Sequence, residues 1–344
     1  PEKSGLFLHL NRGKRSVTLN LRSESARGIL TALAKWADIL VEDFPPSFLP
    51  SLGLSYEQLE RANPRLVMTS IAPFGQTGPY RDHKATEMGV TALSGAMYVH
   101  GVPEREPLRY PPDVVWCLAG STAAAATTGA LLVSRAQGIG QHVDVSALET
   151  VVGNVMGRPL SYEYSGVKSQ RGARPAGYPQ GAFPCQDGYV VFGIGPDRYF
   201  RRLCVAIGPD LGRDLLTDPL WATPEARAAH QEEFEAILLE WTMQRSKEDI
   251  FRHCQAHGVI CAPIYTPEEL LQDPQLRARG YFQQLTHPAA GRLSYPGAPF
   301  QMAETPWRTD TPAPLLGQHN REVYRDILGF SPEDLAHLHK TGAV

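Results

Sequence analysis

Residues 17–44 read VTLNLRSESARGILTALAKWADILVEDF, and a change of period inside this stretch decides the fold. Val17, Leu19 and Leu21 alternate with Thr18 and Asn20, the period of two expected of a half-buried strand. Ser23 then offers a hydroxyl as N-cap, and Ile29, Leu30, Leu33 and Trp36 recur at helical spacing. Ile39-Leu40-Val41 follows as a short apolar run that ends at Glu42-Asp43-Phe44. The stretch therefore predicts strand, helix, strand. Pro45-Pro46 breaks the chain, Ser55-Tyr56-Glu57-Gln58 has the form of a capping box, and Leu66 to Ile71 predicts a further strand. Such alternation argues for an α/β fold with a parallel, doubly wound sheet. Ligands of these sheets bind outside the carboxyl ends of the strands, which here are Glu42–Ser47 and Ala72–Thr86.

Further along, Ser121 to Val133 predicts a buried helix of small residues. Gly138-Ile139-Gly140-Gln141 turns into a strand at His142–Val145, and a second helix starts near Ser146. This glycine pair follows a helix and opens a strand, the reverse of a dinucleotide loop, so it reads as a helix C-cap. Residues 166–178 are rich in Gly, Arg, Pro and Ser and predict a linker into a smaller unit. That unit has a strand at Gly188–Gly193 and helices at Arg198–Ile207, Pro224–Met243 and Lys247–His257, and Pro263 closes it. Residues 288–314 are expected to wrap over a surface, before a last helix at Asn320–Leu328.

Composition limits the function. The chain has 344 residues, enough for about two domains at roughly 150 residues each. Hydrophobic residues make up 42% and charged residues 20%, with mean hydropathy −0.25, as in a soluble globular protein. The 33 basic and 36 acidic residues leave a formal charge of −3, so no global field draws in nucleic acid or an anionic membrane. The apolar run Ala119–Val133 falls short of the ~20 residues of a spanning helix. Five cysteines without a C-x-x-C pattern fit free thiols in a reducing cytoplasm. No secretory leader opens the chain, and the start at Pro1 suggests that an N-terminal piece is missing.

Several motifs carry chemistry. Asn11 to Ser16 sets Arg12, Lys14 and Arg15 around Gly13, which suits either phosphate contacts or a solvated turn. His253, Cys254, His257 and Cys261 are metal-ligand types, but a helix ending at Gly258 accounts for them and no metal is expected. No Gly-x-Ser-x-Gly elbow anchors a hydrolase triad. Asp113, before the predicted buried helix, Glu87, after the loop 80–86, and Asp144, in an apolar strand, could each act as nucleophile or base from a partly dry site. Helix capping accounts equally for Asp113 and Glu87, and a structural hydrogen bond for Asp144.

Six segments in order resemble the class III CoA-transferase family, which includes formyl-CoA transferase, carnitine CoA-transferase and alpha-methylacyl-CoA racemase. They are residues 10–21, Ala37 to Phe44, Asn63 to Val67, Phe74-Gly-Gln-Thr-Gly-Pro-Tyr80, Gly138 to Ser146, and Pro314-Leu-Leu-Gly-Gln-His319. The resemblance implies a Rossmann-like large domain built from both chain ends (1–165 and 266–344), a small α+β domain inserted at 166–265, and an interlocked dimer. It also implies a first strand-helix unit before Pro1.

By position, the resemblance places coenzyme A on Leu19, Arg22, Asp43, Phe44, Pro45, and Lys84 to Glu87, with Arg22 and Lys84 meeting phosphates. Asp43 stands where the family often has Asn, and Ser51 where some members have Arg. Family transferases use an Asp nucleophile about four residues before a helix-opening Gly. Counting back from Gly120, that place is Trp116, and the nearest carboxylate is Asp113, with Glu87 matching an assisting carboxylate. Family racemases pair an Asp, here Asp144, with a His, and residues 114–116 supply none. The expected activity is transfer of CoA from an acyl-CoA to a small carboxylic acid. The alternatives are an acyl-CoA racemase or isomerase, and a non-catalytic CoA-binding subunit of a heteromer.

Overall fold

A computed structural model of the chain describes residues 4–154, 158–172, 177–195, 197–308 and 310–344. The chain divides into two compact units, Pro1–Gly172 with Leu285–Leu293 and Arg308–Val344, and Ala173–Gln284 with Ser294–Trp307. The stretches 266–284 and 294–307, which the sequence assigns to the large domain, group with the second unit.

The first unit is built on a parallel sheet of β1 (Ile39–Glu42), β2 (Val67–Ala72) and β3 (Gln141–Ser146), in that order. The register pairs Leu40 with Met68, Glu42 with Ser70, and Ser70 with Asp144. Helices α1 (Glu24–Trp36) and α2 (Tyr56–Ala62) cover one face, where Ala34, Leu59 and Met68 share a core. Ser23 and Ser55 cap these helices as the sequence predicts, Ser55 in a capping box with Gln58. Short α3 (Glu87–Leu93) and long α4 (Val114–Gln137) follow, and Thr127 of α4 meets buried Thr69 of β2 at 2.7 Å on the opposite face. Gly138 ends α4 in a left-handed conformation. Gly140 is required for a separate reason: a Cβ there would collide with the Leu66 backbone carbonyl.

No strand forms at 17–21. The Ser16 N–H donates to His319 Nδ1 (3.0 Å), that of Thr18 to Asn320 Oδ1 (2.9 Å) and that of Asn20 to the Ala343 carbonyl (2.8 Å). Tyr324 Oη donates to the Thr18 carbonyl (2.6 Å), so the C-terminal segment occupies the groups a strand would use. Residues Gly5–Leu10 form a helix, where the sequence suggests a strand-like start. Helix α4 also departs from a buried core helix. Only the stripe Val115, Ala119, Ala123, Thr127, Ala130 and Ser134 is buried, and the helix is long and apolar enough to cross a membrane by length and composition alone.

In the second unit β4 (Gln180–Cys185) pairs antiparallel with β5 (Gly188–Gly193), and β5 with β6 (Cys261–Pro263). Helices α5 (Asp197–Ile207), α6 (Gln231–Thr242) and α7 (Lys247–Ala256) bury Leu203, Leu238 and Ile250 in one core with Phe192. The helix expected at 224–243 breaks at His230, whose φ/ψ of −118°/31° leaves the helical region. Part of the predicted linker, residues 173–176, lies outside the described residues. Within the stretch expected to wrap a surface, Gly291–Pro296 instead forms a hairpin with Phe282–His287. In the first unit, the last helix expected at Asn320–Leu328 is present as a π-helical segment at Glu322–Ile327. A last helix at Pro332–Lys340, announced by the box Ser331–Asp334, was not expected.

Candidate functional site

The crossover from β2 through α4 to β3 brings the N-terminus of α4 back to the carboxyl end of the sheet, where the strand-end loops also lie. At this N-terminus Asp113 has φ 69°, the sole positive φ of a non-glycine among the described residues. A left-handed L-residue costs about 1–2 kcal/mol, so the turn must be held by its surroundings. Glu87 holds it: Oε2 accepts the Asp113 N–H and Oε1 the Val115 N–H, both at 2.8 Å. The capping account therefore applies to Glu87, which caps a neighbouring helix, while the half-buried Asp113 side chain makes no cap bond. Trp116 lies in the first turn of α4 and is 38% exposed.

Asp144 is exposed on β3, and apolar groups do not enclose it as the strand pattern suggested. Both of its carboxylate oxygens accept the Gln76 N–H at 3.0 Å. Gly75 makes this approach possible, because it has φ +80° and a Cβ would stand 3.3 Å from Asp144 Oδ1. The structural hydrogen bond foreseen for Asp144 is thus present, on a strand-end loop.

Of the residues that the resemblance assigns to coenzyme A, Asp43, Phe44 and Pro45 share the loop after β1. Glu42 shapes that loop by accepting the Phe44 N–H on Oε2 (2.8 Å), and the Phe44 and Phe48 rings pack at 4.9 Å. Lys84 is exposed on the segment leading to Glu87. Leu19 packs at the edge of the core formed with the C-terminal segment, and Arg22 is exposed beside it, its N–H on Asn20 Oδ1 (3.2 Å). The contacts join Asp113 to Glu87 and Asp144 to Gln76, and no hydrogen bond or ion pair among the described residues joins Arg22 to Lys84.

The basic cluster is engaged locally. Arg12 Nε donates to the His9 carbonyl (3.2 Å), Lys14 Nζ to Asn11 Oδ1 (3.1 Å), and Arg15 pairs with Glu322 (2.9 Å). His253 Nε2 and His257 Nδ1 each lie 2.8 Å from a backbone carbonyl, of Ala206 and His253 respectively. Cys254 hydrogen-bonds Cys261 and raises its thiol pKa, with burial adding to the effect.

Sequence reasoning missed a cleft of about 100 Å³ under the loop after β1. Glu42, Ser70, Gln76 and His142 line it with Ser55, Tyr56, Glu57 and apolar residues. The parallel register puts Glu42, Met68, Ser70, His142 and Asp144 on one face of the sheet, a pairing that no local period in the sequence marks.

The chain matches CoA-transferase family III over residues 1–320. It is 33% identical to a succinyl-CoA--D-citramalate CoA-transferase of Chloroflexus aurantiacus, over 96% of this chain and 82% of that protein. It is 32% identical to the succinyl-CoA:(R)-benzylsuccinate CoA-transferase subunit BbsE of Thauera aromatica, over 98% and 84%. A solved CAIB/BAIF family protein from Brucella suis superposes with a TM-score of 0.83 at 29% identity, covering 93% of this chain and 83% of that one.

Proposed function

The chain belongs to CoA-transferase family III and is an enzyme of that family, and we propose that it moves CoA from an acyl-CoA to a small free carboxylic acid with Asp113 as nucleophile. The observation that carries this reading is the strained Asp113, whose carboxylate is left out of capping because Glu87 does that work. The carboxylate attacks the thioester carbonyl, giving a mixed anhydride and CoA thiolate. The thiolate attacks the aspartyl carbonyl, releasing the first acid and leaving aspartyl-CoA. The acceptor carboxylate repeats the two steps in reverse order and regenerates Asp113. No proton or electron is consumed, and one hard exchange becomes several easier ones.

CoA would lie along Leu19, Arg22, Asp43, Phe44, Pro45, Lys84 and Glu87, with the exposed Arg22 and Lys84 cations toward its phosphates. A Rossmann-like large domain from both chain ends, an inserted small domain and an interlocked homodimer complete the reading. The dimer is supported by α4, which exposes Leu132 (64%) beside its narrow buried stripe, and by the helix Arg158–Ser165, which exposes Tyr164 (92%). Four buried free cysteines support a cytoplasmic setting.

A second reading is favoured by Trp116 at the family's Asp position and by the likeness to a named subunit: this chain is one half of a heteromer. The test is intact-mass spectrometry after incubation with an acyl-CoA and no acceptor. A CoA adduct mapping to Asp113, absent from Asp113→Asn along with turnover, supports the first reading. Unchanged turnover in Asp113→Asn removes it.

A further inference from the structure

The cleft under the loop after β1 holds a polar group that the fold leaves without a partner. Gln76 Nε2 is buried and makes no hydrogen bond among the described residues, although the backbone N–H of the same residue binds Asp144. An unpaired buried donor is a standing cost that an acceptor removes. In the same lining, Glu42 is 9% exposed and spends Oε2 on the Phe44 N–H, while Ser70 is 1% exposed and lies 2.8 Å from His142 Nε2. The His142 ring stacks on Tyr56 at 5.4 Å and 19°. Tyr56 stays a neutral phenol, since burial and then the charges of Glu60 and Glu57 push its pKa up to about 12. Two carboxylates, Glu42 and Glu57, line the cleft, and no Lys or Arg does.

These walls ask for a group that accepts from Gln76 and donates to Glu42. A terminal carboxamide does both, and so does a hydroxyl. A ligand carboxylate would accept from Gln76 but would be the third carboxylate in the cleft, beside Glu42 and Glu57, with His142 as the one titratable base in the lining. Pro45, which the resemblance assigns to coenzyme A, lines the cleft beside Glu42 at the end of β1, and Met68, Ser70 and His142 line it on the sheet face that also carries Asp144, so the cleft borders the proposed coenzyme A site.

We propose that this cleft receives the far end of the acyl or acceptor acid and selects an uncharged hydrogen-bonding end over a carboxylate, with Gln76 as the specificity-determining residue. The proposal rests on the transferase reading for its substrates, but not for its test.

The experiment uses four acids built on the same four-carbon chain: succinamate, 4-hydroxybutyrate, succinate and butyrate. Binding of each to the full chain is measured by saturation-transfer NMR, and transfer is measured from a common acyl-CoA. Succinamate and 4-hydroxybutyrate are expected to bind at least about 10-fold more tightly than succinate. Gln76→Leu should remove about 10-fold from succinamate while changing butyrate less than about 2-fold. Glu42→Gln, which keeps an acceptor for the Phe44 N–H, should raise succinate toward succinamate. It also reads the same ratio if Gln76→Leu does not fold. Equal or tighter binding of succinate overturns the proposal, as does a ratio that neither variant moves, which would mean that the cleft holds only water. The predicted binding order without transfer of any acid would sink the transferase reading alone. Equal transfer of all four acids, with no order in binding, would leave that reading standing and sink the cleft.

Discussion

Removing the Glu87 carboxylate tests how the strained turn at Asp113 is held. Glu87→Ala would strip two 2.8 Å acceptors from the Asp113 and Val115 N–H groups. Loss of a helix N-cap costs about 0.5–2 kcal/mol, and loss of an anion at a helix N-terminus a further 0.3–1 kcal/mol or so. Asp113 has no side-chain cap bond to fall back on, so the upper half of that range applies, about 2–3 kcal/mol in all. For a unit of this size, that lowers Tm by roughly 4–12 °C. Glu87→Gln keeps one acceptor and should lose about half as much. Thr86→Ala is the control, because Thr86 caps α3 through a long 3.4 Å bond to Gly89 and should cost only about 0.5 kcal/mol. Urea unfolding followed by circular dichroism gives the stability, and acyl transfer on the same samples gives turnover. If Glu87→Ala unfolds within about 0.5 kcal/mol of the parent and turns over at the parent rate, Glu87 neither caps α4 nor positions Asp113, and the reasoning fails.

Asp113→Gly should relieve about 1–2 kcal/mol of left-handed strain and lose 0.5–1 kcal/mol or so to glycine's entropy, for a net gain of up to about 1.5 kcal/mol with transfer abolished; urea midpoints and turnover check the two halves. Gly75→Ala forces a side chain into a positive φ and to within 3.3 Å of the Asp144 carboxylate, so a loss of about 1–2 kcal/mol is expected in thermal melts. The Glu269 carboxyl is held at about 2, first by the Lys247 hydrogen bond and then by the Thr266 N–H. With the folded pKa below the ordinary 4.5, its stabilising share is present above that value and is lost as pH falls toward about 2. Glu269→Gln should therefore flatten the pH dependence of unfolding between about pH 4.5 and pH 2, and an unchanged slope there would count against the pairing.

What was legible in the sequence is what local periodicity and capping encode. Strands β1, β2, β3 and β5, the caps at Ser23 and Ser55, and the glycine stop of α4 follow from spacing alone. The strand read at 17–21 failed for a non-local reason: His319, Asn320 and Ala343, some three hundred residues away in sequence, bind its backbone. The opening of the helix at 230 and the hairpin near 291 turn on single φ values and on pairings that no local period marks. Within the candidate site, Asp113, Glu87 and Asp144 were singled out by residue type, but their division of labour was not. It depends on Glu87 reaching across from α3 to another helix, and on a loop glycine that lets Asp144 close on Gln76.

Trp116 is where these threads meet. Three residues along a helix span about 4.5 Å and return to nearly the same side, so a carboxylate at Asp113 stands about one turn from the place that the resemblance gives the family's Asp. Asp113 is not on the helix, however, and its left-handed φ directs its side chain by the turn and not by helical geometry. A residue so placed needs an outside group to fix it, and Glu87 does so through the backbone. The same group that caps α4 thereby frees Asp113 from capping, and the two roles cannot be separated by sequence comparison alone. Adding Trp116→Asp to Asp113→Asn separates them. The new carboxylate would sit in the first turn of α4, where the helix dipole favours it. Recovery of transfer would show that CoA and acid already bind correctly around the family's position, and that the chain carries its nucleophile one turn early.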